Sequence, residues 1–314
     1  MPAIMTHYAF ARMRADTNDD NDVLYLGGQG PDVFFFYGYS LKKRQDIKAI
    51  RDFGTFLHHI DVSQAYFYLL QYAENEAGRE KEILLTFIRG LFLHYIMDRN
   101  CHPFVFYRTG FPSRDDERKY YFAAHASYES YIDCLIKERF NIKVAPRKAI
   151  KADKNKVRLI SLMMYRLAKD LFNNDYIKED SYYISWKDMK FCQVIFHSPL
   201  GVKKNIFRLV APKGAINAMV TPRKVKNNDV LDVLNDRKDE WRDCVSNQLH
   251  NESFLELIAK ASDEVDVFDK LMAKKYSEED LKKFVNNIDH DGFNVGEQKR
   301  YFKSVWDKLP NLRW

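Results

Sequence analysis

Within LFLHYIMDRNCHPF, residues 91–104, His94, Asp98 and His102 recur at every fourth position of an otherwise apolar run. On a helix, residues i and i+4 share a face, with Cβ atoms about 5–6 Å apart. An imidazole and a carboxylate so placed can reach one ion through bonds of roughly 2.0–2.2 Å. His125 and Glu129 repeat the spacing within FAAHASYESYID. The spacing alone carries little weight. Nine histidines in a chain with 44 acidic residues out of 314 meet a carboxylate four positions on about 1.3 times by chance, and two such pairs occur. The apolar setting carries more, because a buried carboxylate must be paired or bound to metal. Two readings stay open on these residues: a metal site, or Asp98 paired with Arg89 or Arg99 and histidines bonded to backbone carbonyls.

Other motifs bear on the same chemistry. In GGQGPD, Gly27, Gly28 and Gly30 either form a phosphate nest or make a turn that aims Asp32 into the interior. No G-K-[ST] follows and G-x-G-x-x-G is not matched, so this is neither a P-loop nor a dinucleotide fingerprint. NIDHDGFNVGEQ places Asn287, Asp289, Asp291 and Gly292 at positions 1, 3, 5 and 6 of a calcium loop. Position 12 is Gln298 instead of glutamate and position 8 is Asn294, so a polar turn is expected. There is no G-x-S-x-G and no other sign of a nucleophilic serine.

The elements that must position these residues read as helices. Only 12 Gly and 9 Pro stand against 23 Phe and 19 Tyr, a balance that favours helix. THYAFARMR has helical spacing, and residues 46–75 and 80–99 read as long buried helices. Residues 119–140 are helical with Phe122, Tyr128, Ile132 and Leu135 on one side, and 157–172 form an amphipathic helix. Residues 182–220 are ambiguous, and three helices follow from about Asp229, with Pro310 near the end. FPSRDDERKYY is a polar connector. The expectation is one all-α domain over 1–314: a core of 5–137, a basic connector of 143–158 and C-terminal helices over 159–314. The connector holds seven Lys/Arg against one Asp. It is either a solvated link or a patch for peripheral contact with anionic lipid or phosphate. The net charge of +6 is mild for this length and gives no case for nucleic acid by itself. Cys101, Cys134, Cys192 and Cys244 are isolated, which suits reduced thiols. No secretory signal and no transmembrane segment is read, so a cytoplasmic location is expected.

Taken in order, THY, GGQGPD, GTFLHHIDVSQAYF, RGLFLHYIMDRNCHPFVFY and HASYESYID resemble the zinc-dependent phospholipase C family. The likeness is firm over residues 5–137 and looser beyond. It implies an all-helical bundle with two or three Zn2+ ions at the bottom of a cleft. Asp32, His58, His94 and Asp98 look like ligands of a first zinc, and His102, His125 and Glu129 like those of a second. His7 and a bridging Asp98 would serve a third. Secreted members use a processed N-terminal amine at that third ion, whereas only six residues precede His7 here. In LHH, His58 matches the family's ligand position, with His59 as the alternative. The implied reaction is attack of a metal-bound hydroxide on a phosphodiester, such as a phospholipid, with Asp32 as the catalytic carboxylate. Phe34, Phe35, Phe36, Phe104 and Tyr107 flank the motifs as core, or as part of a head-group pocket. Single-strand-specific zinc nucleases resemble the same fold, which keeps a nucleic-acid phosphodiesterase open, as well as a non-catalytic zinc-stabilised helical protein. Iron or manganese could occupy such ligands in place of zinc.

Overall fold

The computed structural model describes residues 4–16, 20–40, 42–110, 118–198, 200–210, 218–225, 228–274 and 276–297. Among the described residues the elements are helices joined by turns and loops, with one antiparallel ladder, β1 (Trp241–Arg242) with β2 (Leu249–His250), in which Trp241 faces His250. The fold is all-α, as expected. In chain order come α1 (Ile4–Met13), α2 (Asn21–Gly27), a 3-10 helix (Gly30–Phe36), α3 (Ile47–His58), α4 (Val62–Glu74) and α5 (Gly78–Thr109). There follow α6 (Arg118–Arg139), α7 (Pro146–Ala149), α8 (Lys154–Arg166) with a π-helical turn (Leu167–Leu171), α9 (Ser181–Phe196) and α10 (Val202–Val210). The last three are α11 (Asn228–Leu231), α12 (Phe254–Met272) and α13 (Glu278–Val285).

The centre of the bundle is α5. Its 32 residues contain one proline, Pro103, and its middle is buried on nearly every side, from Phe87 and Ile88 to Phe104 and Val105. Helices α1, α2, α4, α6 and α12 all pack on it. That all-round burial explains why the run around His94 is apolar in every direction instead of amphipathic. At the crossing with α2 the two backbones nearly touch. A Cβ at Gly27 would lie 2.3 Å from the Phe87 carbonyl oxygen, and one at Gly90 would lie 2.5 Å from that of Leu24.

Several boundaries differ from the sequence reading. The stretch 46–75 is two helices, because Asp61 accepts a hydrogen bond from the Ser63 amide and caps a new helix start. The break leaves His58 as the last residue of α3. Helix α5 runs ten residues past Arg99, since Pro103 costs it one bond and not its packing. The aromatic run after GGQGP is itself helical, in 3-10 form. The described residues of 182–220 lie mainly in α9 and α10, and the β1–β2 ladder sits among the C-terminal helices. The basic segment is structured: Ala149 and Ile150 are buried, Asp153 caps α8, and Lys156 pairs with Asp20 and Asp22. Residues 111–117, Gln298 and Pro310, and the side chain of Phe122, lie outside the described residues.

Helix α1 is held at its start by Asp133 of α6. Its carboxylate accepts from the Met5 amide (3.1 Å), the Thr6 amide (2.8 Å) and the Thr6 hydroxyl (2.7 Å). Burial pushes the Asp133 carboxyl up to about 7, against the pull of those donors. A folded value above the unfolded one means the native state holds the proton more tightly. That contribution is complete below the unfolded value of about 3.9 and is lost as pH rises through about 7. The stability gap between the parent protein and Asp133→Asn, read from urea midpoints, is therefore expected to narrow from pH 5 to pH 8.

Candidate metal centre

Five elements bring the candidate ligands to one buried place. His7 comes from α1, Asp32 from the 3-10 helix and His58 from the end of α3. His94, Asp98 and His102 come from successive turns of α5, and His125 and Glu129 from α6. All are buried except His125, which is half-buried. They form three groups in which one ligand atom per residue lies within 4.8 Å of the others: His7, His94 and Asp98; Asp32, His58 and His94; His102, His125 and Glu129.

Ligand-atom spacings suit a shared ion. Tetrahedral zinc at about 2.0–2.2 Å from N or O holds its ligand atoms roughly 3.3–3.6 Å apart. Here His58 Nε2 is 3.1 Å from Asp32 Oδ1, His7 Nε2 is 3.3 Å from Asp98 Oδ1, and His125 Nε2 is 3.2 Å from Glu129 Oε1. His94 Nε2 is 2.9 Å from Asp98 Oδ2, yet it makes no hydrogen bond of acceptable geometry. A buried ring nitrogen that close to a carboxylate, without being aimed along a hydrogen bond, fits two lone pairs converging on a third atom. His102 Nε2 stands 3.8 Å from both Asp98 and Glu129 and links the groups. One nitrogen lone pair serves one ion, so His94 can serve either of the two groups it joins.

In three of the five histidines the other ring nitrogen is anchored, while His7 Nδ1 is buried without a hydrogen-bond partner. Nδ1 lies 2.7 Å from the Gly54 carbonyl in His58, 3.2 Å from that of Gly28 in His94, and 2.8 Å from that of His290 in His102. A histidine that donates Nδ1–H to a carbonyl presents Nε2 as a lone pair, the usual outer support of a metal-ligating imidazole. This gives GGQGPD a concrete job. Gly28 supplies an anchoring carbonyl, and at Gly30, with φ +55°, a Cβ would sit 2.1 Å from the His94 ring. Only glycine lets the backbone pass there and turn Asp32 inward.

Electrostatics follow from the same packing. Burial alone would raise Asp98, but His102, His94 and His7 outweigh it and hold the carboxyl well below its usual range. Burial would lower His102, but Asp98, Glu129 and Asp291 carry it up to about 10. His7 is driven down to about 3 by burial and by the neighbouring His94, against Asp98. The arginines are engaged elsewhere: Arg89 with Asp269 and Arg99 with Glu264. Among the described residues, no arginine pairs with Asp98.

His58, not His59, faces Asp32. His59 is half-exposed, with Nδ1 2.7 Å from the Thr55 carbonyl and Nε2 3.5 Å from Asp291. Metal content after dialysis is therefore expected to fall in His58→Ala and to stay at the parental value in His59→Ala. Of the aromatic residues, Phe34, Phe36 and Phe104 are core. Phe35 packs on the His58 ring (5.3 Å between centres). Phe106, four positions beyond His102 and not singled out from the sequence, lies 5.7 Å from His102 and 5.3 Å from His125. His290, taken from the sequence as part of a polar turn, is buried beside His58 and His94.

No helix among the described residues is long and apolar enough to cross a membrane. The four cysteines are free. No curated protein and no solved structure matches the chain. Residues 1–190, more than half of its length, match the family described as zinc dependent phospholipase C, and they contain all eight converging residues. The chain belongs to the zinc dependent phospholipase C family.

Proposed function

We propose that the chain is a zinc-dependent phosphodiester hydrolase of phospholipase C type, with His7, Asp32, His58, His94, Asp98, His102, His125 and Glu129 as the metal ligands. The observation that carries this reading is the convergence of eight His and carboxylate side chains from five elements, seven of them buried and three of the imidazoles anchored through Nδ1. Zinc bound there would polarise phosphoryl oxygens and lower the pKa of a water molecule towards ~7.

The protein's own groups do the rest. Asp98 would hold two ions, since its two oxygens face His7 on one side and His94 on the other. Asp32 lies at the edge of the set, held 3.1 Å from His58 Nε2, and would orient the attacking water and take its proton. Attack on phosphorus breaks the P–O bond to the alcohol, which leaves as diacylglycerol if the ester is a phospholipid. Phe35 and Phe106 stand against the ligand rings and would limit water around the reacting phosphate. One apolar cluster running from Ile4 to Val285 supports reading the chain as a single helical domain.

A face away from the centre supports a peripheral role at an anionic membrane. Val202, Ile206 and Leu209 lie on one side of α10 and are exposed, as is Leu200. Arg147, Lys148 and Lys203 line the same hollow as Leu200 and Val202. Apolar residues rimmed by cations suit an interfacial helix. Sedimentation with phosphatidylserine vesicles is expected to be strong, to fall with salt, and to be lost in Ile206→Asp/Leu209→Asp.

The reaction is tested with a chromogenic phosphodiester, with and without chelator, followed by phosphatidylcholine and single-stranded DNA. Chelator-sensitive release from phosphatidylcholine is expected. Cleavage of DNA alone would replace the lipase with a nuclease, and no cleavage by zinc-replete protein would leave a structural metal site.

A further inference from the structure

The loop Asn286–Gly296 follows α13 and lies beyond the residues that match the family. It is a built turn. Asn286 and Asn287 take left-handed backbone, and Asp289 accepts from the amides of Asp291 (2.9 Å) and Phe293 (3.2 Å). It is fixed to α5: Tyr95 Oη donates to the Ile288 carbonyl at 2.8 Å. Gly292 lies over the stretch of α5 where Pro103 has no N–H to offer the Arg99 carbonyl. A Cβ there would lie 2.3 Å from that carbonyl oxygen.

The loop is also tied to the metal centre. The His290 amide donates to the His58 carbonyl (3.1 Å), and His102 Nδ1 donates to the His290 carbonyl (2.8 Å). Between these two bonds the His290 side chain points inward, 1% exposed, and neither ring nitrogen has a hydrogen-bond partner. Leaving a buried polar group unpartnered costs about 1–3 kcal/mol. Its ring centre is 4.8 Å from that of His58 and 5.5 Å from that of His94. Two imidazoles on one tetrahedral ion, with Zn–N near 2.0–2.1 Å, have ring centres roughly 5 Å apart. The His290 nitrogens lie outside the three 4.8 Å groups, so ligation requires its ring to turn or shift towards the ion.

Resting on the metal-centre reading above, we propose that His290 is a further ligand of the ion held by Asp32, His58 and His94. As a ligand it would compete with a phosphate oxygen for that ion, so the loop would have to withdraw for substrate to bind there. A catalytic zinc site keeps three protein ligands and one open position. A further protein ligand fills that position, and a ligand on a separate loop makes the filling reversible.

The test uses the full chain loaded with zinc, and with cobalt(II) for spectroscopy. In His290→Ala and His290→Gln, zinc is expected to pass to a competing chelator at least about tenfold more readily. The cobalt visible spectrum should change, free imidazole should restore it in the alanine variant, and inorganic phosphate should bind more tightly than to the parent. Chelator competition and spectra identical to the parent would overturn the proposal. Should both variants fail to fold, zinc-loaded crystals of the parent protein decide. A His290 nitrogen at about 2.0–2.2 Å from zinc supports the proposal, while a water in that position overturns it. Two or more zinc ions per chain with His290 unbound would overturn this inference alone. Fewer than two would overturn the metal-centre reading as well.

Discussion

Asp98→Ala is expected to abolish phosphodiesterase activity and to release at least one metal ion per chain. Asp98 is the carboxylate around which the site is arranged, with His7 and His102 on one oxygen and His94 on the other. Removing it leaves three buried imidazoles without their shared acceptor. Changes in the outer support of a metal site already cost about 10–100-fold in affinity or activity, so loss of this ligand should cost more than about 100-fold. Asp98→Asn is the sharper variant: it keeps the volume but loses the charge, and it should lose metal nearly as completely. Zinc analysis and turnover measured on the same preparation check both. Full zinc with unchanged turnover would remove Asp98 from the site.

The second large effect is on stability. Stripping metal from the parent protein should lower the melting temperature by roughly 10 °C or more, on the scale of about 2–4 °C per kcal/mol for a domain near this size. Asp32, Asp98 and Glu129 are buried together with His7, His58, His94 and His102. Without a cation of higher charge, such a cluster is held by imidazolium–carboxylate pairs that must first be desolvated. Metal binding to ligands assembled only in the fold adds its free energy to folding. Calorimetry before and after chelation, with zinc added back, reads the effect. A melting temperature indifferent to metal would mean that the cluster is satisfied without it.

The sequence made some of this legible and hid the rest for identifiable reasons. His94, Asp98 and His102 could be placed together because i+4 spacing on one helix is geometry the sequence carries by itself. So could His125 and Glu129. Nothing local places Asp32 or His58 beside them, and only the ordered likeness to a family did so. The helix break at Asp61 lay within apolar periodicity continuous over 46–75, where a cap that takes one side-chain bond leaves little trace. His290 was the residue most hidden. Its partners lie about 190 positions away on α5 and still further away on α3, and its surroundings, NIDHDG, look like a metal loop in their own right. The one cue was a histidine at the centre of a turn whose Asp289 carboxylate is busy bonding the turn's own amides. Phe106 did carry a spacing cue, since it continues the i+4 series of His94, Asp98 and His102 on one helix, but an aromatic residue in that place reads first as core.

The metal centre is tested most directly by the number of ions the native chain holds. Protein purified without chelator and passed through gel filtration should contain two or three zinc ions per chain by elemental mass spectrometry. Fewer than two per chain, after the protein has been offered zinc in excess and desalted, would contradict it.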